Sequence, residues 1–371
     1  MLNVIYLVLL SDINLLFGFI AMCLAPYYIK TTNIRLDLSP FTAIFLFAIA
    51  LSFVISINHG IVGINLLCML LYLFRFSFYT NRFSLPPSYV IYIFSSFTFL
   101  QILQPEQIDA LRNLISDDRV DVVDYSLESI VGLRFSGLFT NPNYFAIVII
   151  LLYVIELIFR RDGFSKFLNL CVLLSVAASG SRSALGCYLI IATFLFFYIK
   201  SSRSYFLVVA ATFVTAFIYL SNVIDLRFLQ IQDILTNSDP SSSLRTEVLS
   251  KYLNDILWRD DYISLIFGHG YADQYNYFFD GDVGNLLYLM GFFGCFAFLF
   301  VIVNKYKIGR APLAILALFP FVLAGGIFGN LKTLFIFAIL PDLFIAYAAR
   351  YPLVRDKFLT QSRTRNELRN C

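Results

Sequence analysis

Apolar residues in this chain come in long, nearly uninterrupted runs, and polar residues are concentrated in a few blocks between them. The runs recur at about 17–25 residues, the length that carries a helix across roughly 30 Å of hydrocarbon at 1.5 Å per residue. They are too long for barrel strands and lack the alternation those strands need. The pattern predicts about eleven helical spans, near 3–25, 40–57, 61–79, 88–104, 143–159, 166–180, 184–199, 205–222, 284–303, 311–329 and 332–349. The expected fold is thus an all-α polytopic integral membrane protein, one membrane domain over 1–371.

Three polar blocks interrupt this pattern: residues 105–142, residues 223–283 and a basic tail at 350–371. The second is the longest. Within it Leu244, Val248, Leu249, Tyr252, Leu253, Ile256 and Leu257 fall at helical spacing after an Asp-Pro-Ser-Ser-Ser stretch, which predicts an amphipathic helix lying against the bundle or the membrane.

Composition strengthens this reading. At 59% hydrophobic and 14% charged, the chain carries more apolar surface than one soluble core can hide. The net charge of +3 says less than its distribution. The connections holding Lys30, Arg35, Arg75, Arg82, Arg160, Arg161, Lys166, Lys200, Arg203, Lys305, Lys307 and Arg310 fall on one side, with the tail. Together they hold 18 of the 27 basic residues, so this side is expected to be cytoplasmic. The blocks at 105–142 and 223–283 then lie outside, with 17 of the 24 acidic residues. The N-terminus is read as a first span starting outside, since it lacks a basic n-region and a small-residue cleavage site. The C-terminus lies inside.

Candidate chemistry is sparse. The six cysteines avoid both long loops, so no disulfide framework is expected, and two histidines, His59 and His269, suggest no metal site. No cofactor and no nucleic acid is expected. Glu156 stands four residues before Arg160, as in a helical ion pair. Asn141 fits a helix cap, with Pro142 at the first helical position; Arg134 precedes that cap on the exported side. Arg182 sits in the tight turn SGSRSALG, either snorkelling to the interface or aimed as a guanidinium fork at a phosphate. Arg245 lies in the first turn of the loop helix. There the helix dipole disfavours a cation, and an anion would gain from both the arginine and the free N–H groups. Asp282 reads as a helix cap or as a general base at the mouth of an outer cavity, with His269 as the competing base.

In order, these segments resemble the O-antigen polymerase and O-antigen ligase superfamily. The resemblance rests on the G-x-F-x-N-P-N-like stretch from Gly137 to Asn143, the S-x-S-R-S turn from Ser179 to Ser183, and the exported loop with Arg245 ahead of the Gly268–Gly270 turn. The helix opening Asn285 to Gly294 follows. It covers roughly residues 130–300.

The resemblance implies a GT-C-like, metal-independent glycosyltransferase acting on undecaprenyl-diphosphate-linked oligosaccharide at the periplasmic face of a bacterial inner membrane. A polysaccharide chain-length regulator and a flippase would be its partners, besides the bilayer. Arg182 and Arg245 match the arginines that hold the lipid diphosphate, with Arg134 beside them. Ligases commonly carry a histidine just before the Asn-x-Tyr-Leu-type helix; here Asp282, Val283 and Gly284 stand there. The polymerase is therefore the expected function, with transfer of polysaccharide to lipid A core, or transport without chemistry, as alternatives.

Overall fold

The structure is a computed structural model that describes residues 31–36, 40–55, 69–78, 87–115, 135–139, 141–159, 165–198, 203–209, 250–252, 254, 262–268, 282–306, 311–323, 334, 337–338 and 340–342. Described residues are predominantly helical. The longer helices are α1 (Pro40–Ile55), α2 (Pro87–Leu103), α3 (Pro105–Ile115), α4 (Pro142–Phe159), α5 (Lys166–Ala178) and α6 (Arg182–Tyr198). A short α7 (Tyr262–Phe267), a long α8 (Asp282–Tyr306) and α9 (Leu318–Leu323) follow. Residues 203–209 are also helical, and a 3-10 turn, Ala311–Ala317, leads into α9.

Local chemistry sets the helix ends. Helices α1 to α4 each open on a proline, whose missing N–H costs nothing in the first turn. At α4 the Oδ1 of Asn141 accepts from the N–H groups of Asn143 at 2.9 Å and Tyr144 at 3.2 Å, so the expected cap forms. Ser165 caps α5 in the same way through Leu168 N–H.

Helix α4 is the axis of the bundle. Every residue from Tyr144 to Ile158 is buried, which is why a sequence apolar on all faces suits it. Buried polar pairs tie α4 to its neighbours. Asn169 of α5 donates to the Tyr153 hydroxyl at 2.6 Å and accepts from the Tyr188 hydroxyl of α6 at 2.7 Å. Ser175 of α5 donates to Ser95 of α2 at 2.8 Å. The Glu156 carboxylate, near the end of α4, accepts the Ser88 N–H at 3.2 Å, placing negative charge at the N-terminus of α2. Helices α2 and α4 therefore run antiparallel. Arg160, the partner expected for Glu156, lies outside the described residues.

Against this helical background, residues 71–78 depart from the span expected over 61–79. Leu71–Leu73 form a 3-10 turn, and Phe74–Phe78 is a strand, β2, paired antiparallel with β1 (Thr31–Leu36). The sequence FRFSF alternates aromatic and polar residues, a two-residue period that a hydropathy window averages away.

Among the described residues one helix, Gly284–Tyr306, is long and apolar enough to cross a membrane, and five shorter apolar helices accompany it. Many large apolar side chains on their outer faces are exposed, among them Phe197 at 69% and Phe296 at 65%. The span expected over 284–303 is helical, but it breaks at Gly291, where φ is 63° and ψ is −172°. Lys305, expected in a basic connection, is instead fully buried at the end of α8. Its Nζ meets the Asp342 carboxylate at 2.5 Å and donates to the Phe74 carbonyl.

Candidate functional site

The described contacts gather the motif segments into two groups. In the first, the segment Phe135–Phe139 is fastened across the end of α2. Gln101, the last polar residue of that helix and 2% exposed, turns its carboxamide to the loop. Its Oε1 accepts the N–H groups of Ser136 at 2.9 Å and Gly137 at 2.8 Å, while its Nε2 donates to Asp109 of α3 at 3.0 Å. Ser136 Oγ donates to the Phe139 carbonyl at 2.6 Å and closes the turn. The Phe139 ring then fills the space between Phe94, Tyr144 and Phe145. All the polar groups of this turn named here are paired inside a protein interior, where an unpaired one would cost about 1–3 kcal/mol.

The same segment reaches a second helix. Phe135 N–H donates to the carbonyl of Ala178, the last residue of α5, at 2.9 Å. Just beyond it Ser179, Gly180 and Ser181 make the turn into α6; Ser179 Oγ donates to the Val176 carbonyl at 2.6 Å and accepts the Ser181 N–H at 3.2 Å. Arg182 is the first residue of α6. The residues just ahead of the Gly137–Asn143 and Ser179–Ser183 motifs, Phe135 and Ala178, more than forty positions apart in the chain, are thus joined at one end of the bundle. Arg134 directly precedes this junction and lies outside the described residues; for Arg182 the description covers the backbone alone.

The second group surrounds the break in α8. Helix α7 ends at Gly268, whose φ is +87°, and its backbone presses on the break. A Cβ on Gly268 would run into the Leu289 carbonyl and stand 2.6 Å from the Met290 nitrogen. A Cβ on Gly291 would meet the Ile266 carbonyl and stand 2.5 Å from the Phe267 nitrogen. Each glycine is thus the space the other segment occupies. The interruption loosens the helical claim on the Leu289 carbonyl, which accepts from the buried Ser52 Oγ of α1 at 2.9 Å.

The long polar block also docks here. Residues 250–252 and 254 are helical, with Tyr252 2% exposed while Ser250, Lys251 and Asn254 face outward, the phase expected of the amphipathic helix. Tyr252 packs edge-on to Tyr288 of α8, 5.6 Å between centroids. Arg245 and His269 lie outside the described residues, and Asp282 is described only as the backbone position that opens α8.

Sequence reasoning passed over Gln101, Asp109 and Ser136. The available signal was a lone glutamine at the end of an apolar run, followed by proline and an amphipathic turn. Among the described residues no three His, Cys, Asp or Glu side chains stand together to hold a metal ion. No family model, curated protein or solved structure matches the chain.

Proposed function

We propose that this chain is a multi-pass inner-membrane glycosyltransferase that polymerises undecaprenyl-diphosphate-linked oligosaccharide units at the periplasmic face. The observation that carries the reading is the Phe135–Ala178 hydrogen bond. It joins, at one end of the bundle, two motif segments that bear or adjoin Arg134 and Arg182, the end that charge distribution assigns to the exported side. The antiparallel run of α2 and α4 agrees with that assignment, since Ser88 and Glu156 meet at the end expected to be cytoplasmic. The apolar outer faces suit a surrounding bilayer, with about eleven spans in all.

In this mechanism Arg182 and Arg245, with Arg134, neutralise the diphosphate of the donor lipid. A hydroxyl of the acceptor sugar attacks the anomeric carbon of the donor chain. The new glycosidic C–O bond forms as the bond to the diphosphate oxygen breaks, and the lipid diphosphate departs with that electron pair. The hydroxyl proton passes to Asp282, with His269 as the alternative acceptor; a base so placed contributes about 10²–10⁴ in rate. The growing chain moves onto the incoming lipid-linked unit.

The test is polymer length in cells that lack the gene. Wild-type protein restores a ladder of long chains, whereas Arg182→Ala and Arg245→Ala, at equal membrane abundance, leave single repeat units. Full-length polymer from both variants would overturn the reading and favour transport without bond formation. Loss of transfer to lipid A core with normal polymer length would instead identify a ligase.

A further inference from the structure

The Gln101–Asp109 pair sits at the junction of the two motif segments, yet neither residue belongs to a motif. Gln101 uses its whole carboxamide: one oxygen receives two consecutive backbone N–H groups, and the amide nitrogen is aimed by a buried carboxylate on the next helix. A single amide acceptor shared by Ser136 and Gly137 fixes the path of the chain at two points. That path begins at Phe135, which is bound to the end of α5 four residues before Arg182.

We infer that Gln101 and Asp109 are positioning residues for an anion site where the Phe135–Phe139 segment meets the end of α5 ahead of Arg182, acting through the Ser136–Gly137 backbone. This rests on the proposed reading that Arg182 receives a diphosphate. Asp109 orients the amide, so that Oε1 and not the NH₂ group faces the loop. With the amide turned the other way, its NH₂ group would confront the Ser136 and Gly137 N–H donors, and the Phe135–Phe139 segment would lose its bonds to α2. The carboxylate on α3 and the two loop N–H groups thus select the same orientation of the amide. No acid–base step is assigned to it.

A donor–acceptor exchange tests this in the full chain, purified in detergent micelles, with farnesyl diphosphate as the probe. Gln101→Glu alone sets two carboxylates against each other, and probe affinity is expected to fall on the order of 10-fold. Adding Asp109→Asn reverses the bond: the carboxylate at 101 now accepts from the amide at 109 as well as from Ser136 and Gly137. The net charge and the bonds linking residue 101 to residue 109, Ser136 and Gly137 return to those of the wild type, and affinity is expected within about 3-fold of it. Failure of the pair to recover, or wild-type affinity in Gln101→Glu, overturns the proposal. Should the carboxylate pair prevent folding, Gln101→Met keeps the length and withdraws the acceptor; wild-type affinity there overturns the proposal as well. Arg182→Ala separates the two readings. If it abolishes probe binding while Gln101→Glu and Gln101→Met do not weaken it, only the positioning role fails. If Arg182→Ala binds like wild type, the diphosphate reading fails first.

Discussion

Two junctions in this protein bring distant segments together, and they are held by opposite means. At the end of α2, the Phe135–Phe139 segment is held by side chains: Gln101 supplies the acceptor, Asp109 aims it, and Phe139 plugs the gap. At the break in α8, α7 is held by the absence of side chains, with Gly268 and Gly291 each vacating the volume the other backbone fills. The first kind of junction tolerates any exchange that preserves donors and acceptors. The second tolerates no added atom.

The largest effect is expected at the glycines. Gly291→Ala adds left-handed backbone strain and a collision with the Ile266–Phe267 backbone, together about 4 kcal/mol in unfolding free energy, measured by denaturant titration in micelles. Gly268→Ala should cost a similar amount, and the double variant less than the sum, because both prise open one interface. Full additivity would show that the contacts are independent. Next comes Gln101→Ala, which strands two buried N–H groups and should cost about 3 kcal/mol by the same titration. The Gln101→Glu, Asp109→Asn pair should recover most of that loss, whereas no second substitution recovers Gly291→Ala. Ser52→Ala removes the donor that meets the Leu289 carbonyl and should cost about 1.5 kcal/mol, an effect that disappears in a Gly291→Ala background if the break has reorganised. Smallest is Asn141→Ala at about 1 kcal/mol, with Asn141→Ser near neutral, read as a shift in the thermal unfolding midpoint.

Much of the helical layout was legible because its determinants are local. Pro40, Pro87 and Pro142 start helices where a proline suits the first turn, and Asn141 caps as its position demands. The phase of the loop helix around Tyr252 followed from spacing alone. The ribbon at Phe74–Phe78 was not legible, since a two-residue period of aromatic residues looks uniformly apolar in a long window. Lys305 misled for a related reason. A lysine at the end of an apolar run resembles a loop cation, and only Asp342, 37 positions on, makes it a buried ion pair.

By itself, then, the sequence determined most of the longer described helices, where several of them begin, and which polar blocks are set apart from the apolar runs, because length, hydropathy and capping act within a few residues. The tertiary structure alone decided that Phe135 meets Ala178, that Gln101 and Asp109 hold the Ser136–Gly137 turn, and that the backbones at Gly268 and Gly291 press together. Those facts depend on contacts between residues 8 to more than 40 positions apart, and on backbone approaches that leave no periodic trace. A glutamine or a glycine has the same letter whether it faces lipid, a loop or another backbone.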